Sequence, residues 1–205
     1  MLPVENVLRQ IKAASSIMTC PSEENVTALL EANGFKREIA GTDFDKAVKA
    51  FRLAETHQRG ILVLGEPGAG KTLLLKTLHA IRRKELSRFV YTKGKHALEW
   101  LWESSDFYMT DDIYLDEIGA EEIYHDYGNV CDVVGDFIQR FHARHEPKAR
   151  FFGTTNLGLT KGLDGTNDGP SIQLKYGSRV VDRLLEMCVV VKFDGKSKRE
   201  RIFVQ

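Results

Sequence analysis

One stretch constrains the fold of this chain more than any other: residues 61–81 read ILVLGEPGAGKTLLLKTLHAI. Aliphatic residues typical of a buried strand run into a glycine-rich turn, and an apolar repeat with helical spacing follows it. The turn matches the G-x-x-x-x-G-K-[ST] pattern of a phosphate-binding loop, in which backbone N–H groups surround phosphate oxygens at a helix N-terminus. The predicted nucleotide-binding residues of this loop are Gly65, Glu66, Pro67, Gly68, Ala69, Gly70, Lys71, Thr72 and Leu73.

The pattern also predicts the ligands. A lysine at position 71 can reach the β- and γ-phosphates of a nucleoside triphosphate, and the hydroxyl of Thr72 can ligate Mg²⁺. An ordinary strand–turn–helix corner would not explain why Lys71 and Thr72 directly follow the glycines in this register. We therefore expect ATP and Mg²⁺ as cofactors.

Composition limits the remaining possibilities. The 205 residues are enough for one α/β core with a small appendage. Lysine plus arginine and aspartate plus glutamate both number 29, so bulk charge does not favour a nucleic-acid coat protein. Three widely spaced cysteines, Cys20, Cys131 and Cys188, favour reduced thiols. The sequence shows neither a signal segment nor a membrane-length apolar run, which predicts a cytoplasmic protein with no membrane partner.

Segment order predicts an α/β fold with a central parallel five-stranded sheet flanked by helices. The predicted strands are 61–65, 88–92, 112–118, 150–156 and 187–193, and the predicted helices between them are 71–86, 95–104 and 129–146. A short helical N-terminal segment, residues 1–58, precedes this core of residues 59–205. Its helices are too short to bury much surface alone, so they either pack on the core or dock on a partner.

A second motif, DDIYLDEIGAEE at 111–122, ends an apolar strand in Asp116 and Glu117. Open α/β sheets bind ligands at the carboxyl ends of their strands. We therefore expect Asp116 to hold Mg²⁺, partly through water, and Glu117 to act as the general base toward the attacking water. A third strand ends in Thr154, Thr155 and Asn156, and the Asn156 amide is predicted to orient that water beside Glu117.

These motifs together resemble the AAA+ ATPases, and within them the bacterial helicase loaders DnaC and DnaI and the related transposition ATPase IstB. The resemblance covers about residues 59–188 and is carried by RGILVLGEPGAGKT, LDEIGAEE, DYGN, TTNL and YGSRVVDRLLEM. It implies an AAA+ P-loop core without a separate helical lid. The Asp116–Glu117 pair is the commoner AAA+ form, whereas typical loaders have two aspartates, and the N-terminal segment is shorter than theirs.

The resemblance also implies further site residues and partners. Arg183 matches the arginine finger that loaders donate to the ATP of a neighbouring subunit, and Arg179 lies one helical turn before it. Arg199 is the best match to the second sensor arginine, which contacts the γ-phosphate within the same subunit. A replicative helicase, single-stranded DNA and a homo-oligomer with an ATP-bridged interface are the implied partners.

Two alternatives remain open at this point. An IstB-like ATPase would bind duplex DNA and a transposase, and a P-loop small-molecule or nucleotide kinase would transfer the phosphoryl group to an acceptor. The Asp–Glu pair and Asn156 favour water over an acceptor, and the absence of an N-K-x-D segment disfavours a GTPase.

Other polar and aromatic residues have ordinary explanations beside functional ones. Lys93 and Lys95 precede Trp100 and Trp102, which could stack on single-stranded nucleic acid but more readily form a core helix face. His142 and His145 lack carboxylate or cysteine partners at metal-ligand spacing and are predicted to lie on the surface.

Overall fold

The structure is a computed structural model, and it describes residues 21–82, 88–92, 112–121, 124–126, 129–144, 149–160 and 169–195. The predictions for a helix at 95–104, for Lys93, Lys95, Trp100, Trp102 and His145, and for Arg199 lie outside the described residues.

In the part of the chain that the structure describes, five parallel strands form the central sheet. They are β1 (Gly60–Gly65), β2 (Arg88–Tyr91), β3 (Ile113–Ile118), β6 (Phe151–Thr155) and β7 (Cys188–Phe193), and their spatial order is β2–β3–β6–β1–β7. All five lie within one or two residues of the bounds that the apolar runs predict. Because β1 pairs with β6, and β6 pairs with β3, the loop that follows β1 opens near the carboxyl ends of both strands.

Helices cover both faces of this sheet, as parallel sheets require. They are α1 (Glu23–Ala32), α2 (Arg37–Ala40), α3 (Thr42–His57), α4 (Lys71–Arg82), α5 (Val133–Arg144), α6 (Ile172–Tyr176) and α7 (Ser178–Met187). Alternation along β1 assigns the faces: Leu62 and Leu64 pack with α5, α6 and α7, whereas Ile61 and Val63 pack with α1 to α4. None of the helices in the described part of the chain is long and apolar enough to span a bilayer.

The described N-terminal helices belong to the core layer on the α4 face. Val26 and Leu30 of α1, and Phe44 and Phe51 of α3, are each at most 2% exposed. They share one apolar cluster with α4 and with Val191 and Phe193 of β7. In the described part of the N-terminal segment, α1 to α3 therefore bury their apolar faces on the sheet.

A buried aspartate fastens α3 to the end of β7. The Asp43 carboxylate accepts hydrogen bonds from the backbone N–H of Asp194 at 3.0 Å and of Gly195 at 2.8 Å. It also pairs with Lys46 at 3.0 Å and is fully buried. Such charge-assisted bonds are stronger than neutral ones and hold the chain in place directly after the sheet's edge strand.

The helix predicted at 129–146 begins later than expected. Residues 129–131 instead form β5 (Asn129–Cys131), which pairs antiparallel with β4 (Tyr124–Asp126) as a small hairpin. The helix starts at Val133 because the Asp132 carboxylate accepts a hydrogen bond from the Gly135 N–H at 2.9 Å, which is the geometry of a helix N-cap. The apolar run across 130–134 concealed this change from strand to helix.

An ion-pair network ties the layers together at the opposite end of the sheet. Arg82 of α4 bonds Glu55 of α3 at 2.7 Å and Asp112, just before β3, at 2.8 Å. Arg150, just before β6, bonds the same Glu55 oxygen at 2.8 Å. Since the network joins two helices to the amino ends of two strands, it fixes the end of the sheet away from the phosphate loop.

Candidate nucleotide-binding and hydrolysis site

The phosphate loop spans the gap between β1 and α4, and its glycines serve two purposes. Gly68 and Gly70 have φ values of 88° and 94°, the left-handed region that glycine alone adopts readily. Gly65 also lies against β7, and a Cβ atom there would lie 2.6 Å from the Phe193 carbonyl oxygen. Gly65 is therefore needed for packing between strands as well as for the turn.

The loop lysine is held in place within the site. Lys71 is 7% exposed, and its Nζ donates to the carbonyl oxygens of Gly65 at 2.7 Å and Glu66 at 2.8 Å. A third hydrogen bond, at 2.7 Å, goes to Oδ1 of Asn156. The structure thus brings together the predicted phosphate-binding lysine and the predicted water-orienting amide, 85 residues apart in sequence.

The predicted magnesium ligands also meet. The Thr72 Oγ1 donates to Oδ1 of Asp116 at 3.1 Å, and Asp116 is 1% exposed. Among the described residues no group of three His, Cys, Asp or Glu side chains has metal-binding geometry. One hydroxyl and one carboxylate nevertheless fit Mg²⁺ next to a triphosphate, because this ion usually keeps several waters and takes phosphate oxygens as ligands.

A β-bulge sets the direction of the acidic pair. Leu115 pairs with Gly153 and Ile118 with Thr155, so Asp116 and Glu117 together lie opposite the single residue Thr154. Glu117 has a φ of 62°, a left-handed conformation that is uncommon outside glycine. Its carboxylate makes no hydrogen bond to any residue in the described ranges, so it is open to a substrate or water.

Threonine hydroxyls from both neighbouring strands hold this bulge. Thr154 Oγ1 donates to Asp116 Oδ1 at 2.5 Å and accepts from the Glu117 N–H at 3.0 Å. From the β2 side, Thr92 Oγ1 donates to the carbonyl oxygens of Asp116 at 3.0 Å and Glu117 at 2.7 Å. Both threonines are fully buried, so the hydroxyls fix the backbone and the Asp116 carboxylate together.

Arg183 lies elsewhere, on the outer face of α7. It pairs with Glu186 at 3.0 Å, and Glu186 also contacts His142 of α5 at 2.6 Å. The hydrogen bond with Arg183, and after it the one with His142, holds the pKa of the Glu186 carboxyl below its usual range. A surface cavity of about 450 Å³ lies here, lined by Gln139, Arg140, His142, Ala143, Arg179 and Arg183.

The lining of that cavity includes no residue of the phosphate loop. The structure therefore brings together Lys71, Thr72, Asp116 and Asn156 but leaves Arg183 and Arg179 on the flank of the molecule. The His142 side chain is 23% exposed and contacts Glu186. Glu66 and Pro67 are exposed at the tip of the loop, whereas Ala69 is buried and Leu73 packs partly against the α4-side cluster.

Sequence reasoning missed several residues that support this site. Thr92 and Thr154 gave only a weak signal, as hydroxyl residues at predicted strand ends. The Tyr176 hydroxyl donates a hydrogen bond to Glu121 Oε1. The two residues lie within the YGSRVVDRLLEM and LDEIGAEE motifs, yet no pattern within either motif links them. Their contacts depend on strand register and helix placement, which local spacing does not encode.

Comparison with solved structures identifies the fold. The crystal structure of the DnaC helicase loader matches with a TM-score of 0.52 and 19% identity, covering 75% of this chain and 92% of that chain. The crystal structure of DnaI gives 0.45 and 23%, covering 69% and 73%. The structure of C. elegans PCH-2 gives 0.38 and 17%, covering 84% and 41%. No protein-family model and no curated protein matches the chain.

The predicted fold class is thus confirmed: an α/β P-loop core with a five-stranded parallel sheet, in the fold of the DnaC helicase loader. The predicted resemblance to helicase loaders holds at the level of the fold.

Proposed function

We propose that this chain is an AAA+ ATPase that hydrolyses ATP to ADP and phosphate and uses the reaction to load a replicative helicase on single-stranded DNA. The observation that carries the ATPase assignment is the convergence of Lys71 Nζ, Thr72 Oγ1, Asp116 Oδ1 and Asn156 Oδ1 at one edge of the sheet. These groups come from a phosphate loop and two further strand ends, which is the donor set that a magnesium–triphosphate complex needs.

The residues present fit ATP and Mg²⁺. Gly68 and Gly70 provide a left-handed backbone for an anion-binding turn, and a Cβ at Gly70 would meet no heavy atom within 4 Å. When bound, the magnesium–nucleotide complex supplies the γ-phosphoryl group that is transferred to water. Lys71 would exchange its carbonyl partners for phosphate oxygens, while Thr72 and Asp116 would hold the metal.

Two residues are proposed to act on the water. The Glu117 carboxylate, aimed by the bulge, would accept the proton of the attacking water. Asn156 would orient that water once Lys71 turns away from its amide oxygen. We also include Arg199 as the sensor arginine, on the strength of the sequence motif alone.

Arg183 is proposed to act on the nucleotide of a neighbouring copy. Its place on the flank, beside the cavity between α5 and α7, supports a role at a subunit interface. A guanidinium there would offset charge that develops on the neighbour's γ-phosphate. ATP would accordingly favour a homo-oligomer, and hydrolysis would release it.

The helicase partner rests on the DnaC helicase loader, whose fold the chain shares over 75% of its length. We keep the division into an N-terminal segment, residues 1–58, and an ATPase core, residues 59–205. Since α1 to α3 bury their apolar faces on the sheet, the contact with a helicase would use their solvent-facing sides and the residues before 21.

Two measurements test the proposal. Phosphate release from ATP is measured with Mg²⁺ for the full chain, for Lys71→Met and for Lys49→Met, a control on the exposed face of α3. We expect turnover by the full chain and the control, and none by Lys71→Met. Turnover equal in all three would refute the assigned site.

The second measurement is retention of the replicative helicase of the same genome on circular single-stranded DNA, with ATP or without nucleotide. We expect this chain to increase retention only with ATP. Phosphate release without any gain in retained helicase would leave the ATPase assignment standing and refute helicase loading.

A further inference from the structure

A compact polar cluster lies between the strand that carries Glu117 and the helix that carries Arg183, and none of the roles above uses it. We call it the Glu121 clamp; it consists of Glu121, Lys175, Tyr176 and the backbone of Gly119. Glu121 Oε2 accepts from the Gly119 N–H at 2.8 Å, and its Oε1 accepts from the Tyr176 hydroxyl. Lys175 Nζ pairs with the same Oε1 at 2.8 Å and donates to the Gly119 carbonyl oxygen at 2.9 Å.

The clamp is a shielded arrangement. The Glu121 side chain is 8% exposed and Tyr176 is 9% exposed, so water competes little for these bonds. Burial, reinforced by the Glu121 carboxylate, raises the pKa of Tyr176 far above its usual range, so its hydroxyl stays a donor. Both backbone polar groups of Gly119 are taken by the clamp, which fixes this turn from two sides.

One end of the clamp reaches the hydrolysis site. The Ala120 N–H donates to the Glu117 carbonyl oxygen at 2.9 Å and closes a tight turn directly after the general base. Gly119, at the centre of that turn, has a φ of 96°, and a Cβ there would lie 2.4 Å from Leu157 Cδ1. The turn therefore requires glycine at this position, both for its conformation and for its close packing against Leu157.

The other end reaches the arginine helix. Tyr176 is the last residue of α6, and Gly177, with a φ of 86°, is the N-cap of α7. Arg179 and Arg183 follow within the first two turns of α7. A hydrogen bond from Tyr176 to Glu121 thus fixes the start of α7 relative to the turn after Glu117.

We propose that Glu121, through Tyr176 and Lys175, is a positioning residue that sets where α7 presents Arg183 to the nucleotide of a neighbouring subunit. The proposal rests on the proposed in-trans role of Arg183 and extends it. A misplacement of about 1 Å can cost a catalytic group on the order of a hundredfold in rate, so the placement of α7 matters for Arg183, whose described ion pair is with Glu186. Val180, Val181 and Leu184 of α7 pack in the apolar cluster on the sheet, and the clamp adds a polar link between the start of this helix and the turn after β3.

The test uses mixed oligomers in which each subunit has one task. An acceptor, Arg183→Ala, keeps its phosphate loop but lacks the finger; a donor, Lys71→Met, keeps the finger but lacks the loop lysine. Mixed in equal amounts at constant total protein, they recover ATP hydrolysis if Arg183 acts in trans. Tyr176→Phe is then added to the donor alone, which removes the hydroxyl and keeps the ring.

Tyr114→Phe in the donor is the matched control. Tyr114 is also buried, but its hydroxyl has no hydrogen-bond partner in the described structure, and it faces the opposite layer. We expect Tyr176→Phe in the donor to lower the recovered kcat at least about fivefold with an unchanged KM for ATP, the scale of one charge-assisted hydrogen bond. Tyr114→Phe in the donor is expected to recover as much as the parent donor.

Each outcome separates the two ideas. No recovery with the parent donor would overturn the in-trans role of Arg183, and this inference with it. Recovery that is equal with Tyr176→Phe and Tyr114→Phe donors would overturn this inference alone. An equal loss when Tyr176→Phe is moved to the acceptor would indicate general loosening and would also overturn it.

A second donor variant guards against misfolding. Lys175 has a side chain 37% exposed, so Lys175→Met removes its bonds to Glu121 and Gly119 with little effect on the core. We expect this donor to lower recovery in the same direction as Tyr176→Phe while it unfolds in urea at the parent's midpoint. Full recovery with Lys175→Met and Tyr176→Phe donors alike would refute the clamp's role.

Discussion

Glu117 holds an uncommon backbone conformation, with φ at 62°, on a bulge near the carboxyl end of β3. A left-handed conformation costs a residue with a Cβ on the order of 1 kcal/mol. Here that cost is offset by hydroxyl bonds from Thr92 and Thr154. The Glu117 carboxylate makes no hydrogen bond to any described residue, which suits a group proposed to take a proton from water.

Replacing Glu117 by Gln should separate binding from hydrolysis. The amide keeps the size of the side chain but cannot accept the proton, so we expect ATP affinity near that of the unmodified chain and turnover lower by about a hundredfold or more. Fluorescent nucleotide titration and phosphate release measure the two quantities. Turnover within a few fold of the unmodified chain would place the general base elsewhere.

Thr154 allows a test of the hydroxyl support. Thr154→Val leaves the buried Asp116 carboxylate and the Glu117 N–H each without this partner, which should lower the unfolding free energy by about 1–3 kcal/mol. We also expect turnover to fall about tenfold and the Mg²⁺ concentration for half-maximal activity to rise, because Asp116 loses its fixed orientation. Thr154→Ser, which restores the hydroxyl, should recover most of both.

Thr77→Val is the control for Thr154. Thr77 is a buried threonine of α4 whose hydroxyl bonds the Asn33 carbonyl oxygen at 3.3 Å, away from the acidic pair. The Thr77→Val variant should have a lower unfolding free energy, while the Mg²⁺ concentration for half-maximal activity should not change. A similar shift in Mg²⁺ dependence for Thr77→Val would show that the effect at Thr154 is only structural.

Among single residues, the sequence predicts those whose role depends on neighbours close in the chain. Lys71 and Thr72 follow fixed glycines, so their role can be predicted from spacing alone. The prediction that Asp116 and Asn156 lie near the phosphate loop required only the rule that the carboxyl ends of parallel strands meet at one edge of the sheet. Thr154 and Glu121 could not be predicted, because their partners are set by a bulge and by the placement of a short helix.

At the scale of elements, α3 is the link between the N-terminal helices and the sheet. Its first turn contains two aspartates in very different surroundings. Asp43 is buried and bonds the backbone after β7, whereas Asp45 pairs with Arg37 at the surface, with side chains 63% and 51% exposed. The two aspartates therefore differ in role within one helical turn: Asp43 tethers α3 to the backbone after β7, and Asp45 forms a surface ion pair.

Asp43→Ala should lower the unfolding free energy by about 3 kcal/mol, since two backbone N–H groups lose a charged acceptor. Asp45→Ala should change it by about 0.5 kcal/mol or less, as exposed pairs do. Urea unfolding followed by circular dichroism measures both. Equal losses for the two variants would contradict the tether.

The strands of the sheet could be predicted from the sequence, whereas the start of α5 and the packing of the N-terminal helices could not. Each of the five strands has an apolar run bounded by polar residues, which is why the sheet could be predicted from sequence. The hairpin at 124–131 could not, because Val130, Val133 and Val134 continue one apolar pattern across the Asp132 N-cap. The burial of α1 and α3 could not be predicted either, since an amphipathic helix shows the same spacing of apolar residues whether it packs on its own core or on a partner.

At the scale of the whole molecule, the proposed mechanism requires that nucleotide state and assembly depend on each other. Glu117→Gln should accumulate the ATP-bound form, so light scattering should show a mass of several subunits with ATP and Mg²⁺. With ADP the same protein should return toward the subunit mass, and Lys71→Met should stay there with either nucleotide. A subunit mass under all conditions at micromolar protein would contradict assembly through ATP.

The tether at Asp43 has a consequence for how the chain is made. Asp43 and its partner Asp194 are 151 positions apart. At roughly 5–20 residues per second, about 8–30 s pass on the ribosome between the two. During that interval β1 lacks its β7 neighbour and α3 lacks the strand on which it packs.

A nascent chain that stops short of Cys188 therefore presents the apolar side of α3 and one edge of β1 to the cell. Such surfaces attract chaperones, proteases and other nascent chains. The sheet gains β7 beside β1 only after Cys188–Phe193 have been synthesised, so the yield of this core depends on what protects the chain during those seconds.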